Sequence, residues 1–405
     1  MRVVLSTYGS RGDVEPLLAL AERLREAGAE VRVCAPPEEE FAARLAQAGV
    51  PLVAVGESVR TLVSGPPPKP EDFPARAAAL VAGFYEAVLA EAEPGGAVVA
   101  TGLFPSAAGA RSAAEAVGAR FVHVSLQPTM LPSPHHPPFQ YPGRPQAPEG
   151  TGNAELWERD VESMNALFGG VVNAHRAAVG LPPVDNVRDH VLTGRPWLAT
   201  DEVLGPWRRP AALDVVQTGA WLAADRRPLG AEVEEFLAAG APPVYVGFGS
   251  MPMRGSADVA RLAVEQARAL GRRVVVGRGW AGLGPAGDGG HCLVVGEVNH
   301  QALFPRVAAV VHHGGAGTTT AAARAGAPQL VVPQMVDQPY WAARVAELGI
   351  GAVYDAAVPS AASVAAALRT VLDPATRARA AAVAGGIRTD GAEVAARLLL
   401  EPAAG

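Results

Sequence analysis

The sequence predicts an α/β protein of two Rossmann-like domains, each a parallel sheet covered by helices on both faces. Three observations predict this. The chain has 405 residues, of which 49% are hydrophobic and 18% charged, it contains two successive runs of alternating strands and helices, and a less regular stretch separates the runs. A chain of this size divides because single hydrophobic cores stop growing near about 250–300 residues. Near-continuous apolar strands indicate parallel sheets that are buried on both faces.

The first run opens with a strand, a glycine-bearing turn and a helix, in the order RVVLSTY, GSRGD and VEPLLALAERLREAG. Apolar side chains at Leu17, Leu20, Ala21 and Leu24 repeat at the spacing of one helical face, and Gly28 is a typical stop signal. The strands AEVRVCAPP, GAVVATGL and ARFVHVSL follow, separated by alanine-rich stretches that favour helices. The first half is therefore predicted as an α/β domain.

Two proline-rich stretches interrupt this half, at residues 64–74 and 131–150. Proline has no backbone donor and resists both helix interiors and central strands, so both stretches are predicted as surface loops. Long loops in a compact domain often carry function, and we expect a binding role. A third irregular stretch near mid-chain, from VLGPWRRP to AADRRPLG, shows no sustained period and is predicted to contain the linker.

The second run restarts the alternation after this stretch. Its predicted strands are PPVYVGFG, RRVVVGRG, HCLVVGEV, AAVVHH and APQLVVPQ, with helical segments among and after them. We place the first domain at residues 1–205, the linker at 206–228 and the second domain at 229–385. Two such domains are expected to face each other across a cleft, and ligands of such sheets bind beyond the carboxyl ends of the strands.

Charge and hydropathy disfavour two classes of partner. The formal net charge is -6 and no run of Lys or Arg is present, which disfavours a nucleic-acid partner. No run of about 18 apolar residues and no signal-peptide core occurs, so we expect a cytoplasmic protein without an integral membrane segment. Cys34 and Cys292 lie in strand-like segments without metal-ligand spacing and are expected to be buried thiols.

A strand, two histidines, a run of glycines and a helix follow one another at residues 308–326, AAVVHHGGAGTTTAAARAG. A metal site is disfavoured because His312 and His313 are adjacent at a strand end, where neighbouring side chains point to opposite faces. A redox dinucleotide site is weakly indicated, since Gly315-Ala316-Gly317 resembles the start of G-x-G-x-x-G but Thr320 replaces the third glycine.

A phosphate site accounts for every feature of this segment. Glycines let a backbone approach its ligand closely, and the first N–H groups and the dipole of the next helix favour an anion. A histidine at the strand tip can add a donor. Ser250, in the strand end VGFGSM, offers a hydroxyl near the same place. A tight turn with a hydrogen-bonded histidine stays the structural alternative.

A series of motifs in order along the chain resembles one known family. They are GSRGDVEP, RPWLATDEVL, VQTGAWLAADRRPL, VYVGFGSM, GRGWAGL, GEVNHQALF, VVHHGGAGTT, PQMVDQPY and RTDGAEVAARLLL. Together they resemble the glycosyltransferases of vancomycin- and teicoplanin-type glycopeptide antibiotics, in nucleotide-sugar-dependent family 1. That resemblance implies the GT-B fold, with the acceptor site in the first domain, the donor nucleotide in the second, and a last helix, at 386–405, that crosses back onto the first domain.

The resemblance also implies roles for individual residues. The predicted donor-binding set is Ser10, Ser250, Arg278, Trp280, Val298, His313, Gly314, Gly315, Gly317, Thr318, Asp337 and Gln338. His313, the glycine amides and the hydroxyls would hold the phosphates, while His312 faces the sheet. The backbone at Val298 would read the pyrimidine, with Trp280 as a stacking surface and ordinary packing as its alternative.

Asp13 and Asp337 are the predicted catalytic residues. Asp13 stands before the helix VEPLLALAERL, where it is either an N-cap or, as the resemblance implies, the general base, with Ser10 helping to position the acceptor. Asp337 and Gln338 lie where members of the family bond the sugar hydroxyls, and a helix cap is the alternative for Asp337.

The long proline-rich loop is predicted to form part of the acceptor rim. The residues that we expect there are His135, His136, Phe139 and Tyr141. A large, rigid aromatic peptide needs an open apolar surface more than a closed pocket.

The reaction implied is inverting transfer of a sugar from a UDP- or TDP-sugar to a phenolic hydroxyl of a glycopeptide aglycone. It needs neither metal nor cofactor, and glucose is the expected sugar because HHGGAGTT and PQMVDQPY resemble the glucosyl-transferring members. The alternatives are another natural product or a sterol as acceptor, a deoxyaminosugar donor, a nucleotide-sugar epimerase of the same fold, and a non-catalytic partner protein that binds nucleotide-sugars.

Overall fold

The computed structural model describes residues 1–65, 69–140, 146–211, 213–249, 256–279, 290–354, 356 and 359–401. These residues form two compact units. The first unit combines Met1–Glu202, Pro206–Ala223 and Arg388–Gly405, and the second combines Val203–Gly205 and Ala224–Ile387. Segment 206–228, which the sequence predicts to link the domains, therefore contributes residues to the first unit.

The first unit begins with alternating strands and helices. Up to the fifth strand its elements are β1 (Arg2–Tyr8), α1 (Arg11–Glu26), β2 (Glu30–Ala35), α2 (Glu39–Gln47), β3 (Leu52–Ala54), α3 (Val59–Ser64), α4 (Phe73–Glu91), β4 (Ala97–Gly102), α5 (Phe104–Val117) and β5 (Arg120–Ser125). Three helices and two short strands follow: α6 (Asn153–Met164), α7 (Gly170–Ala178), α8 (Val187–Leu192), β6 (Trp197–Leu198) and β7 (Val216–Gln217).

The strands of the first unit form one parallel sheet in the order β3-β2-β1-β4-β5-β6-β7. Successive residues of β1 are buried on opposite faces. Val3 and Leu5 pack into one core with α1, and Val4 packs into the other core with α4 and α5. Burial on both faces explains why the strand is apolar without alternation.

Helix α4 is long and apolar enough, by length and composition, to pass a simple test for a membrane span. Its buried residues lie in the core that α5 shares. They are Ala77, Val81, Phe84, Tyr85 and Val88. The helix is thus a core element of the first unit.

The second unit holds the remaining strands. Its elements are α9 (Ala231–Ala238), β8 (Val244–Val246), α10 (Ser256–Ala269), β9 (Val274–Gly277), β10 (Cys292–Val295), α11 (His300–Leu303), β11 (Ala309–His312), α12 (Ala316–Arg324), β12 (Gln329–Val331), α13 (Gln338–Glu347), β13 (Gly351–Val353), α14 (Ala361–Val371) and α15 (Pro374–Ala384). They build a parallel sheet in the order β10-β9-β8-β11-β12-β13, with apolar cores on both faces. The predicted fold class is confirmed.

The last helix, α16 (Gly391–Leu400), belongs to the first unit and packs on α1. Ala395, Ala396 and Leu399 are buried in the core that α1 lines. Gly391 lies directly against the backbone of Gly219, so a side chain at this position would collide with it. The predicted return of the last helix to the first domain is confirmed.

Candidate functional site

The junction of β11 and α12 carries the histidine and glycine motif. Strand β11 ends at His312, Gly314 has a φ of 93°, and Gly315 is the N-cap of α12. Thr319 is the first residue whose N–H bonds inside the helix, to Gly315 O at 3.0 Å. The N–H groups of the preceding turn have no intrahelical acceptor, as at every helix start, so this end of α12 favours an anion.

His313 lies beside this helix start. A Cβ on Gly249 would come within 2.7 Å of its Cε1, and a Cβ on Gly315 within 2.6 Å of its Nε2. Two glycines therefore leave the space that the ring tip occupies. The ring Nδ1 is buried and has no hydrogen-bond partner among the described residues. Burial lowers the pKa of His313 to about 4, so the imidazole is neutral near pH 7.

His312 points the other way. It is completely buried, and its Nε2 lies 2.9 Å from Gln329 Oε1. The prediction that His312 faces the sheet is confirmed. The Gly314 N–H donates to His312 Nδ1 at 3.0 Å. The turn itself therefore uses this N–H donor, and the place of Gly314 in a phosphate site stays a prediction from the sequence.

Two neighbouring strands, β8 and β9, end beside the same turn. Gly249, with a φ of 70°, follows β8. Gly279 follows β9 and lies so close to Gly249 O that a Cβ there would collide with it. The predicted residues Ser250 and Trp280 lie outside the described residues. The side chain of Arg278 is exposed, and the backbone N–H of Arg278 donates to Val295 O at 2.9 Å.

Val298, whose backbone is predicted to bind the pyrimidine base, precedes Asn299, and Asn299 fixes the start of α11. The Asn299 side chain caps α11 by accepting from Ala302 N–H at 3.1 Å, and its Nδ2 donates to Asp225 O and Arg227 O at 2.9 and 2.7 Å. Asn299 was not predicted as part of the site, although an asparagine before a short helical segment is a recognisable cap signal.

Tyr245 and His300 form a second contact that stabilises this region and that was not predicted from the sequence. Tyr245 Oη lies 3.0 Å from His300 Nε2, and the His300 ring stacks on Phe304. The Tyr245 hydroxyl fills the space beside Gly247 and Gly277, where a Cβ would collide with it. This contact joins β8 to the start of α11 over 55 residues of sequence.

The loop between β12 and α13 carries the two residues predicted to read the sugar. Gln338 is buried, and its Oε1 accepts from the N–H groups of Gln334 and Met335 at 2.8 and 3.2 Å. Asp337 occupies the N-cap position of α13 without a side-chain cap bond, so the alternative of a cap is wrong for its carboxylate.

The Asp337 carboxylate is held by a tryptophan instead. Its Oδ2 accepts from Trp341 Nε1 at 2.7 Å. Burial raises the pKa of Asp337, and the bond from Trp341 opposes the rise. The preceding residue, Val336, has a φ of 54°, which is rare for a β-branched residue.

In the first unit, Asp13 and Ser10 form the start of α1. The helix begins at Arg11, so Ser10 is the N-cap and Asp13 is its third residue; the N-cap alternative for Asp13 is wrong. Asp13 Oδ2 accepts from Ser10 N–H at 2.8 Å, and Ser10 also caps the helix with its side chain. Gly9 leaves the space that the carboxylate occupies. The pattern S-x-x-D is itself a capping-box signal.

The proline-rich loop is attached to the first unit by two of the residues predicted at the acceptor rim. His135 Nε2 lies 3.1 Å from Pro210 O. The His136 ring makes edge contacts with Trp157 and Trp207, and Trp157 Nε1 donates to His136 O at 2.9 Å. Phe139 is exposed, and Tyr141 lies outside the described residues. These contacts give both histidines a structural role in holding the loop.

Within the described ranges, no group of three or more His, Cys, Asp or Glu side chains is placed to hold a metal ion. What the second unit does offer is a set of neutral hydrogen-bond donors at the carboxyl end of its sheet. Such an arrangement can hold a phosphate group through dipoles and N–H groups.

Comparisons with known proteins identify the family. Residues 3–130 match the glycosyltransferase family 28 N-terminal domain, and residues 290–399 match the C-terminal domain of the erythromycin biosynthesis protein CIII-like family. A vancomycin aglycone glucosyltransferase from Amycolatopsis orientalis is 52% identical over 402 residues, which cover 99% of this chain and 97% of that protein. The chain belongs to the family of glycopeptide-antibiotic glycosyltransferases.

A second relative of this glycosyltransferase is named for the transfer of a different sugar. A dTDP-epi-vancosaminyltransferase from Amycolatopsis orientalis is 49% identical over 389 residues, which cover 95% of this chain and 93% of that protein. Among solved structures, the glycosyltransferase of kitacinnamycin has a TM-score of 0.72 at 22% identity and covers 98% of both chains. The glycosyltransferase VinC, solved in complex with dTDP, has a TM-score of 0.67 at 20% identity and also covers 98% of both chains.

Proposed function

We propose that this glycosyltransferase moves glucose from a UDP- or TDP-linked donor to a phenolic hydroxyl of a glycopeptide aglycone, with inversion and without a metal ion. The observation that carries the donor half is the His313 ring at the start of α12, where a buried Nδ1 has no hydrogen-bond partner among the described residues. The acceptor half is supported by the name of the vancomycin aglycone relative. A cytoplasmic location stays a prediction from the sequence.

The diphosphate would lie against the N-terminus of α12. As the bond between the anomeric carbon and the diphosphate oxygen breaks, negative charge collects on that oxygen. The N–H groups of Gly317 and Thr318, the Thr318 hydroxyl and the His313 imidazole would donate to the phosphate oxygens. Fixed donors of this kind stabilise charge that develops in the transition state without reorganising.

Asp13 would accept the proton of the attacking hydroxyl. The hydroxyl oxygen forms the new bond to the anomeric carbon on the face opposite the diphosphate, and its proton passes to the carboxylate. Asp13 lies in the first turn of α1, where the positive end of the helix dipole attracts a negative charge. An ionised carboxylate is what a general base requires.

The sugar itself would be read by the loop before α13. Because Gln338 Oε1 already accepts two backbone N–H groups, its Nε2 group is left to donate to a sugar hydroxyl. The Asp337 carboxylate would accept from a neighbouring hydroxyl while Trp341 fixes its orientation. Glucose presents adjacent hydroxyls that match one donor and one acceptor.

The test incubates the purified chain with UDP-glucose or TDP-glucose and a vancomycin-type aglycone, with and without EDTA. We expect the aglycone to gain the mass of one hexose, joined through a phenolic oxygen in the β configuration, at an unchanged rate with EDTA. Hydrolysis or epimerisation of the donor alone, or binding without turnover, would contradict the proposal. Loss of activity with EDTA that Mg²⁺ or Mn²⁺ restores would contradict the metal-free site.

A deoxyaminosugar donor is the second candidate, because the epi-vancosaminyltransferase relative is nearly as similar as the glucosyltransferase. A deoxygenated sugar would leave Asp337 or Gln338 without a partner, which costs about 1–3 kcal/mol for each buried polar group. Competition between TDP-glucose and TDP-vancosamine on one aglycone separates the two candidates. Preference for the aminosugar, or an unchanged preference in Asp337→Ala, would contradict the assignment of these residues.

A further inference from the structure

His312, the other histidine of the strand tip, takes no part in the proposed contacts with substrate. It is buried together with Gln329 of the next strand. Gln329 pairs in register with Val310, two residues before His312, so both side chains lie on the same face of the sheet. His312 Nε2 lies 2.9 Å from Gln329 Oε1, while His312 Nδ1 lies 3.0 Å from Gly314 N.

These two bonds assign the proton on the ring. Gly314 N can only donate, so Nδ1 must be the unprotonated acceptor and the ring proton must lie on Nε2. Gln329 Oε1 accepts that proton and so favours the same tautomer. Burial lowers the pKa of His312 to about 3, which keeps the ring neutral and its Nδ1 available as an acceptor throughout the physiological range.

The peptide held in this way is the turn that directs the diphosphate site. Gly314 has a φ of 93°, and a Cβ on it would come within 2.8 Å of Val331 Cγ1. His313 precedes this residue and the N-cap of α12 follows it. A change in the Gly314 peptide therefore turns both the imidazole and the first N–H groups of the helix.

We propose that His312, fixed by Gln329, is a positioning residue for the diphosphate: it holds the Gly314 peptide so that His313 and the start of α12 point their donors at the same phosphate oxygens. This role rests on the proposed function of the β11–α12 turn as the diphosphate site. His312 touches no substrate, and its effect passes through the hydrogen bond to Gly314. The pair thus supplies the orientation on which the proposed phosphate contacts depend.

Two substitutions at His312 separate this role from simple packing. In His312→Asn the side-chain oxygen can accept from the N–H two residues later, as in an Asx turn, and replaces Nδ1. In His312→Leu no acceptor is left. A third variant, Gln329→Met, keeps the ring but removes the acceptor that selects the tautomer. Exchange of the Gly314 amide with solvent reports the bond itself, without any ligand.

The experiment measures the dissociation constants of UDP and TDP by calorimetry, the KM for the aglycone, and Gly314 amide exchange in each folded variant. We expect His312→Leu to lose amide protection, to bind both nucleotides at least about tenfold more weakly, and to lose kcat/KM for the donor toward about 100-fold. His312→Asn should stay close to wild type, Gln329→Met should lie between them, and the aglycone KM should not change.

Equal nucleotide binding in wild type, His312→Leu and Gln329→Met would overturn the positioning role while leaving the proposed function intact. If His312→Leu does not fold, the comparison of Gln329→Met with His312→Asn decides in the same way. A wild-type chain that binds neither UDP nor TDP contradicts the proposed function, and the positioning role with it.

Discussion

Adding one methyl group at Gly315 should impair catalysis, whereas adding one at Gly385, outside the proposed site, should not. A Cβ on Gly315 would stand 2.6 Å from His313 Nε2, while a Cβ on Gly385 would meet no atom within 4 Å. Ordinary contacts between such atoms are about 3.5–4.0 Å long. In Gly315→Ala the imidazole must therefore move by about 1 Å or turn out of its place.

A displacement of about 1 Å in a positioned group can lower the rate about 100-fold. We expect Gly315→Ala to reduce kcat/KM for the nucleotide-sugar by about that factor, because His313 would no longer meet the leaving oxygen. Gly385→Ala adds the same methyl group at an exposed position just after α15, where φ is -66°. It should keep wild-type activity and gain about 0.4–1 kcal/mol of stability, because alanine has less conformational freedom than glycine in the unfolded chain.

The assay follows release of UDP or TDP under saturating aglycone, with the free energy of unfolding measured in parallel for both variants. If Gly315→Ala turned over as fast as Gly385→Ala, the position of His313 would not matter to the reaction. An equal and large loss in both variants would show that the added methyl groups act through the fold of the second unit, and that the contact with His313 is not the cause.

Three further predictions concern single residues. Asp13→Asn should keep nucleotide affinity and the helix cap but slow transfer by about 100-fold or more, since an amide cannot take the proton; unchanged single-turnover rates would leave Asp13 with a capping role only. His313→Ala should cost about 2–4 kcal/mol of transition-state stabilisation, measured as kcat/KM, and a loss below tenfold would remove it from the leaving-group site. Burial lowers the pKa of His123 in β5 to about 4, below the ordinary value of about 6.5. Between these two pH values the His123 imidazole is protonated only in the unfolded chain. The free energy of unfolding of the first unit should therefore fall as pH drops from about 6.5 towards 4, by about 1.4 kcal/mol per pH unit. Denaturant unfolding at pH 7 and pH 5 should show a smaller fall in His123→Gln, and the exposed His291→Gln serves as control.

The sequence was sufficient for features that depend on neighbours along the chain. Apolar strands, helical spacing and the glycines after β11 predict the sheets and the strand-to-helix turn, because each depends on a few adjacent residues. The start of α1 was placed too late because the apolar periodicity begins only at Val14. The capping box from Ser10 to Asp13 would have corrected it.

Contacts between distant segments could not be predicted in the same way. Gln329 lies 17 residues from His312, and His300 lies 55 residues from Tyr245. Each pair meets only because strands and helices of the second unit pack as they do. The Gly314 N–H is an example. A run of glycines predicts backbone N–H donors, but only the structure shows that His312 already accepts from this one.

The donors at the turn after β11 are neutral, and this bears on how such a site would catalyse. An imidazole with a pKa near 4 and backbone N–H groups attract an intact sugar diphosphate less strongly than a cation would. Catalysis depends on the difference between ground state and transition state, and the bridging oxygen gains its charge only as the sugar leaves. Hydrogen bonds from donors fixed beside that oxygen become stronger as its negative charge grows. Because Gln329 and His312 hold the Gly314 peptide in advance, no reorganisation is needed then, and the rigidity of this buried pair becomes part of the stabilisation that the exposed donors provide.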